Sequence, residues 1–265
     1  MHCVDVLHGL WVNRHLVWRL ARAEFKDRYA GTFLGAAWAV LQPTAIMGVF
    51  FYVFAFGLRP SGPNADVFAA SLLVGLGCWF WFSDAVSGGA TAVTQSAYIV
   101  KKISFPLEIL PVVPTISSLV VHLGVMTILA AGLAVTGHLA LPRIVWLVYY
   151  MGALGALSIS ISFVLAAITP FQKDVVPTTG LVINLLFWLT PIVWSFDLFH
   201  GGAADWLIWN PMTYVVEGYR YALIAEVTQA PTLAQASAFW ATALMIFLLG
   251  ASLYHRLRAD FADVL

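Results

Sequence analysis

Between Tyr29 and Leu58 the chain reads YAGTFLGAAWAVLQPTAIMGVFFYVFAFGL, thirty residues without a single Asp, Glu, Lys or Arg. A hydrocarbon layer about 30 Å thick takes about 20 apolar helical residues to cross, and a soluble core helix rarely stays uncharged for so long. The pattern recurs, with no charged residue between Glu108 and Arg143, between Arg143 and Lys173, or between Glu226 and Arg256. Charged residues make up 10% of the chain, against about 25% in an ordinary soluble domain. The reading is an all-α integral membrane protein, one membrane domain over residues 1–265, because 265 residues hold about six crossings and leave no room for a second domain.

The expected spans are Ala36–Leu58, Val67–Ser87, Ile109–Thr136, Ile144–Thr169, Val175–Trp194 and Ala236–His255. Six crossings place both termini on one side. That side receives ten basic residues from Arg14 to Arg258, and the other only Arg59, Arg143 and Arg220. Positive charge is retained in the cytoplasm, so both termini are expected there. The opening residues lack the basic start and apolar stretch of a cleavable signal, so the first span is expected to direct insertion.

Ahead of the first span, Leu10–Arg28 gathers His15, Arg19, Arg22 and Lys26 on one helical face, opposite Leu16, Val17 and Leu20, with Trp11 and Trp18 at the border. This pattern predicts an amphipathic helix in the membrane interface, which serves as a basic lipid anchor or as a docking surface for a cytoplasmic partner. In the fifth span, Pro191 ends the helix after about 15 residues, or about 22 Å, short of a crossing. The aromatic and charged stretch that follows, through Trp209, Pro211, Glu217 and Arg220, is expected to fold back as short re-entrant helices, or to lie as an aromatic belt at the interface.

Small residues Gly152, Gly155, Ser158 and Ser162 share one face of the fourth span and predict close helix packing. His122 is expected to bond a neighbouring helix, and Asp84 to reach the interface or an internal cavity. Cys3 and Cys78 carry no disulfide or metal pattern. The zero net charge and the lack of a basic run point away from nucleic acid.

No Gly-Lys dipeptide occurs, which excludes a phosphate-cradling loop, and neither a metalloprotease motif nor a plausible Ser/His/Asp set is present. Catalytic and metal-binding residues are therefore expected to be none. The chain reads as the passive half of a machine driven by another protein.

Three stretches carry a resemblance: Arg28–Pro43, RYAGTFLGAAWAVLQP; Tyr98–Pro106, YIVKKISFP; and Trp209–Tyr214, WNPMTY, with Glu217 and Arg220 behind it. In this order they resemble the first-span entry, first cytoplasmic loop and outer re-entrant region of permease subunits of ABC-2 type polysaccharide exporters, those for O-antigen, capsule and teichoic acid. Leu107 departs from the pattern, standing where many relatives place Arg.

The resemblance implies a homodimeric channel and two copies of a separate ATPase carrying ATP and magnesium, with no cofactor in this chain. It further implies a lipid-linked glycan as substrate, with periplasmic or outer-membrane export components as further partners. ATPase docking is then expected at Arg19, Arg22, Lys26 and Arg28, and at Gln95, Lys101, Lys102, Phe105 and Pro106 of the first cytoplasmic loop. An outer gate is expected at Pro191, Trp209, Asn210, Pro211, Glu217 and Arg220.

For the sugar path the candidates are Trp38, Phe50, Phe54, Phe187 and Trp188 of the first and fifth spans, since aromatic faces offer sugar rings apolar contact without fixing sequence. Phe50 and Phe54 share a helical face from which Tyr52 points away. Competing readings are an ABC-2 permease for small molecules or lipids, and an intramembrane enzyme acting on a lipid-linked sugar.

Overall fold

The computed structural model describes residues 2–57, 65–102, 105–196, 202 and 205–265. Among these residues there is no strand, only one isolated bridge between Leu139 and Ile224. The helices are α1 (His2–Val12), α2 (Arg14–Tyr29), α3 (Ala37–Tyr52), α4 (Ala65–Gln95), α5 (Ala97–Lys102), α6 (Val113–Thr136), α7 (Val145–Ile168), α8 (Val175–Leu189), α9 (Pro211–Leu223), α10 (Leu233–Leu257) and α11 (Phe261–Val264).

Among the described residues four stretches are long and apolar enough to cross a membrane: Asp66–Lys101, Leu107–Thr136, Val145–Ile168 and Leu233–Leu257. Two further apolar helices, α3 and α8, are shorter. At 16 and 15 residues they reach about 24 and 22 Å. The α8 length is the one its sequence implies: Thr190 leaves the helix in an extended conformation one residue before Pro191. The α3 limit was not anticipated. Where a crossing to Leu58 was expected, the helix passes at Val53–Gly57 into a π turn, and Leu58 lies outside the described residues.

Several boundaries differ from the sequence reading. The basic helix expected over Leu10–Arg28 is two helices divided at Asn13, whose side-chain amide donates to the Gly9 carbonyl at 2.8 Å. The second span runs eight residues past its expected end at Ser87, to Gln95. The stretch expected as a cytoplasmic loop from Gln95 to Pro106 is therefore partly helical, holding α5. Pro106 opens a 3-10 turn over Leu107–Ile109, and α6 starts at Val113. Gly31 and Gly35, with φ of 77° and 52°, turn the chain from α2 into α3 in a conformation that costs glycine little. Thr232 and Gln235 form a capping box that starts α10.

The long α4 is the central helix, packed by α3, α6, α7, α8 and α9. Its glycines allow the close approaches. A Cβ on Gly89 would sit 2.0 Å from the Ser162 hydroxyl, one on Gly88 2.7 Å from the Pro114 ring, and one on Gly77 2.3 Å from the Met126 methyl. On α7, Ser158 and Ser162 are buried and Gly155 meets Trp81, whereas a Cβ on Gly152 would enter open space; of the small-residue face, that position alone makes no close approach. A second core joins both ends of the chain: Val6, Val17, Ala21, Phe163, Tyr254 and Phe261 are buried together. Both termini therefore lie at one end of the bundle.

By contrast, α3 buries only Ala39 and Met47, and α8 only Thr179 and Ile183. Both leave large apolar side chains uncovered, including Leu41, Val49 and Tyr52 on α3 and Leu181, Leu185 and Trp188 on α8.

Candidate functional site

At the terminal end, α2 buries Val17 and Ala21 against the bundle and turns Arg19, Arg22 and Lys26 outward. Arg14 lies over the Trp11 ring at 5.1 Å and Arg22 over Trp18 at 4.9 Å, so both exposed indoles carry a guanidinium. Gln95 and Lys101 are also exposed, while Phe105 packs into the second core. The helical position of Lys102 is described but its side chain is not. A cavity of about 530 Å³ separates α2 from this segment, with Ala23, Glu24 and Asp27 on one wall and Thr91, Gln95 and Ile99 on the other. The two segments read from sequence as ATPase docking elements thus flank one cleft.

Arg28 differs from Arg19, Arg22 and Lys26 in being held by two carboxylates. Its Nη1 donates to Asp84 on α4 at 2.6 Å and its Nη2 to Glu24 at 3.0 Å. The side chain serves to tie the end of α2 to the second span. Burial pushes the Glu24 carboxyl above the ordinary carboxylate range, against the opposing pull of Arg28. Of the two places expected for Asp84, the structure shows a cavity: it pairs with Arg28 while lining a cavity of about 410 Å³.

At the opposite end, Asn210 accepts from the Met212 backbone at 3.0 Å and Pro211 takes the first helical position, so α9 is capped at its start. The Asn210 amide also donates to the Thr190 hydroxyl at 3.2 Å, fastening α9 to the residue before Pro191. Trp209 remains exposed. Glu217 and Arg220 form a pair at 2.7 Å. The guanidinium of Arg220 reaches further, donating from Nε to the Ser71 carbonyl of α4 and from Nη2 to the Ile192 carbonyl, both at 3.2 Å. Gly75 lies beneath it, where a Cβ would come within 3.4 Å of Nη2. One cation therefore joins α4, α9 and the chain beyond α8. A 3-10 turn, Asp205–Trp209, precedes α9; Asp197 and Phe199, also read into the re-entrant stretch, lie outside the described residues.

Sequence reasoning missed a second clasp at this end. Arg143 donates to the carbonyls of Ile224 at 2.9 Å, Ala225 at 2.8 Å and Val227, and lies 4.8 Å from the centre of the Tyr221 ring. Beside it, His138 Nδ1 and Glu226 are 2.5 Å apart. In the sequence these residues stood only as isolated charges about 80 positions apart, with no local pattern to connect them. Deeper in the bundle, His122 bonds the Tyr219 hydroxyl of α9 through Nε2 at 3.0 Å and stacks on Trp81, the neighbouring-helix partner expected of it.

The path candidates divide. Phe50 and Phe54 stack with centroids 6.1 Å apart, and Phe50 meets Phe187 edge-on at 6.1 Å. Phe187 in turn contacts Trp79 and Trp188. Phe50, Phe54 and Phe187 are half-buried against the core of a single chain, whereas Trp38 and Trp188 are exposed. Among the described residues no three His, Cys, Asp or Glu side chains gather around one point that would hold a metal ion.

Comparison with known proteins places these surfaces in context. The profile of ABC-2 type transporters matches residues 15–224, from the basic helix through the end of α9. The chain is 29% identical to the O-antigen export system permease protein RfbA of Myxococcus xanthus, over 98% of its own length and 99% of that protein. It is 23% and 22% identical to two proteins of the same name from Klebsiella pneumoniae, each over 93% of both chains. With the profile spanning both the terminal-end cleft and the Glu217–Arg220 clasp, this chain belongs to the ABC-2 type transporter family.

Proposed function

We propose that the chain is the transmembrane subunit of an ATP-driven exporter that carries a lipid-linked polysaccharide of the O-antigen or capsule type out of the cytoplasm. The observation that carries this reading is the end-to-end match to an O-antigen export permease, combined with a sequence that holds no phosphate-binding loop. ATP and magnesium belong on a separate ATPase, two copies of which dock against the cleft between α2 and the α4–α5 segment. The exposed row of Arg19, Arg22, Lys26, Gln95 and Lys101 suits that contact. The basic residues of this end also favour the cytoplasm, with six membrane passages when α3 and α8 are counted and α9 re-entrant from the outside.

A homodimer is the assembly these helices need. The short α3 and α8 each keep an apolar face uncovered, and pairing two copies through these faces would enclose a path between protomers. Trp38 and Trp188 are then available to the glycan directly, with Phe50, Phe54 and Phe187 behind them. Arg220 and Asn210 hold the outer segment that closes the path at rest.

The test is reconstitution. The purified chain alone should hydrolyse no ATP. Joined to an ATPase of a polysaccharide export system, it should restore surface glycan to cells lacking their own permease. Restoration of small-molecule or lipid efflux without glycan would replace this reading with a permease for those substrates.

A further inference from the structure

Two cavities lie side by side between α3 on one hand and α4 and α6 on the other. The cavity nearer the termini holds about 410 Å³ and is polar in part, with Arg28, Tyr29, Gln42, Asp84 and Ser118 on its lining. The next is larger, about 740 Å³, and walled mainly by carbon, with Met47, Phe51, Leu73, Val74, Ile128 and Leu129 among its residues. Val125 lines both, so the chambers adjoin at its side chain. Gly48 and Gly132 face the apolar chamber, and a Cβ built on either meets nothing within 4 Å.

We propose that each protomer binds one aminophospholipid in this groove, its amine headgroup in the polar chamber and an acyl chain in the apolar one. The order of polarity is the first reason: headgroup chemistry lies at the end with the interfacial helix, a mainly apolar stretch from Met47 to Leu129 follows, and polar lining returns only with Asp66, Thr136 and His138. The second is packing. Carbon walls of that extent gain little from water, and with the chamber left empty they forfeit dispersion contacts on one side. In a bilayer the adjacent material that fills it is an acyl chain.

Charge selects the headgroup. Arg28 is already shared by Asp84 at 2.6 Å and Glu24 at 3.0 Å, so two carboxylates stand against one guanidinium. Asp84 keeps 44% of its side chain exposed and is open to a further cation. An ammonium group answers the unmatched acid, while the Gln42 amide on the same lining is placed to donate to phosphate or ester oxygens. An anionic glycerophospholipid, or an isoprenoid diphosphate, brings negative charge against the same carboxylates and gains nothing in exchange. The inference does not depend on the glycan reading, because it concerns any chain with this groove in a bilayer.

The test uses the purified protein in nanodiscs containing equal amounts of phosphatidylethanolamine and phosphatidylglycerol, followed by detergent exchange and native mass spectrometry of retained lipid. One phosphatidylethanolamine per protomer is expected, preferred over phosphatidylglycerol by about fivefold, the order an ion pair near the surface supplies. Gly48→Leu and Gly132→Leu fill the apolar chamber and should lower retention of both lipids by about the same factor. Asp84→Asn leaves Arg28 matched by Glu24 alone, one charge against one, and should erase the headgroup preference without emptying the chamber. Equal retention of the two lipids by the unmodified protein would overturn the proposal, as would unchanged retention in both leucine variants. Preferential capture of an isoprenoid phosphate added to the same nanodiscs would overturn the headgroup assignment. The competition in the unmodified protein decides the question even if a leucine variant fails to assemble.

Discussion

Replacing Arg220 with alanine should destabilise the protein by about 3–5 kcal/mol, a loss set by the carbonyls the guanidinium serves more than by its ion pair. The Arg220 side chain is 10% exposed and makes three contacts, to Glu217, Ser71 O and Ile192 O. A hydrogen bond from a charged donor contributes about 1.5–3 kcal/mol, and two of them end on backbone oxygens that water reaches poorly. Breaking a buried pair by removing one partner costs about 3–5 kcal/mol when the remaining group stays unpaired. Glu217, with 34% of its side chain exposed, is partly hydrated after the change and adds the smaller share.

The contacts rank the variants. Arg220→Lys keeps the charge but not the fork, and should fall between wild type and Arg220→Ala. Glu217→Gln should cost about 1 kcal/mol or less. Equilibrium unfolding in mixed micelles, at constant detergent ratio, measures all three. If Glu217→Gln destabilises as much as Arg220→Ala, the carbonyl argument fails and the pair itself is what holds α9. A loss below about 1 kcal/mol for Arg220→Ala would refute the clasp altogether.

The Arg28–Asp84 link, with side chains 30% and 44% exposed, should contribute about 1 kcal/mol or less; a double-mutant cycle on unfolding free energy should show the exchanged pair, Arg28→Asp with Asp84→Arg, recovering part of either single loss. Gly89→Val and Gly218→Ala should each prevent normal packing, because their added carbons meet Ser162 at 2.0 Å and the Tyr150 ring at 2.2 Å, while Gly152→Ala should be tolerated; yields of monodisperse protein on size exclusion distinguish them. The hydrogen bond from His138 holds the Glu226 carboxyl below its ordinary range, so its stabilising contribution is full above the unfolded carboxyl's value near 4.5 and fades as pH falls through the lowered folded value; Glu226→Gln should flatten that part of the acid unfolding curve. The effect should be small, since Glu226 is exposed and water screens its pair with His138.

Membrane residence was legible in the sequence because it depends on a sum along the chain: an uncharged run is cheap to place in hydrocarbon wherever its neighbours lie. The early end of α8 was legible for a similar reason, since a proline acts on the helix that contains it. So was the packing face of α7, where residue spacing alone sets Gly155, Ser158 and Ser162 in one line. The Glu217–Arg220 pair lay within this range too, as three residues on a helix bring side chains together.

What the tertiary structure alone decided is where each charge finds its partner. Arg28 was grouped with Arg19, Arg22 and Lys26 as a docking cation, yet it pairs with Asp84, 56 residues away. Arg220 meets the Ser71 carbonyl across 149 residues, and Arg143 meets the end of α9 across 81. The α3–α4–α6 groove likewise exists only through the spacing of three helices. Hydrophobic transfer is additive along a sequence, but an ion pair or a cavity depends on a distance between separate segments, and packing is what sets that distance.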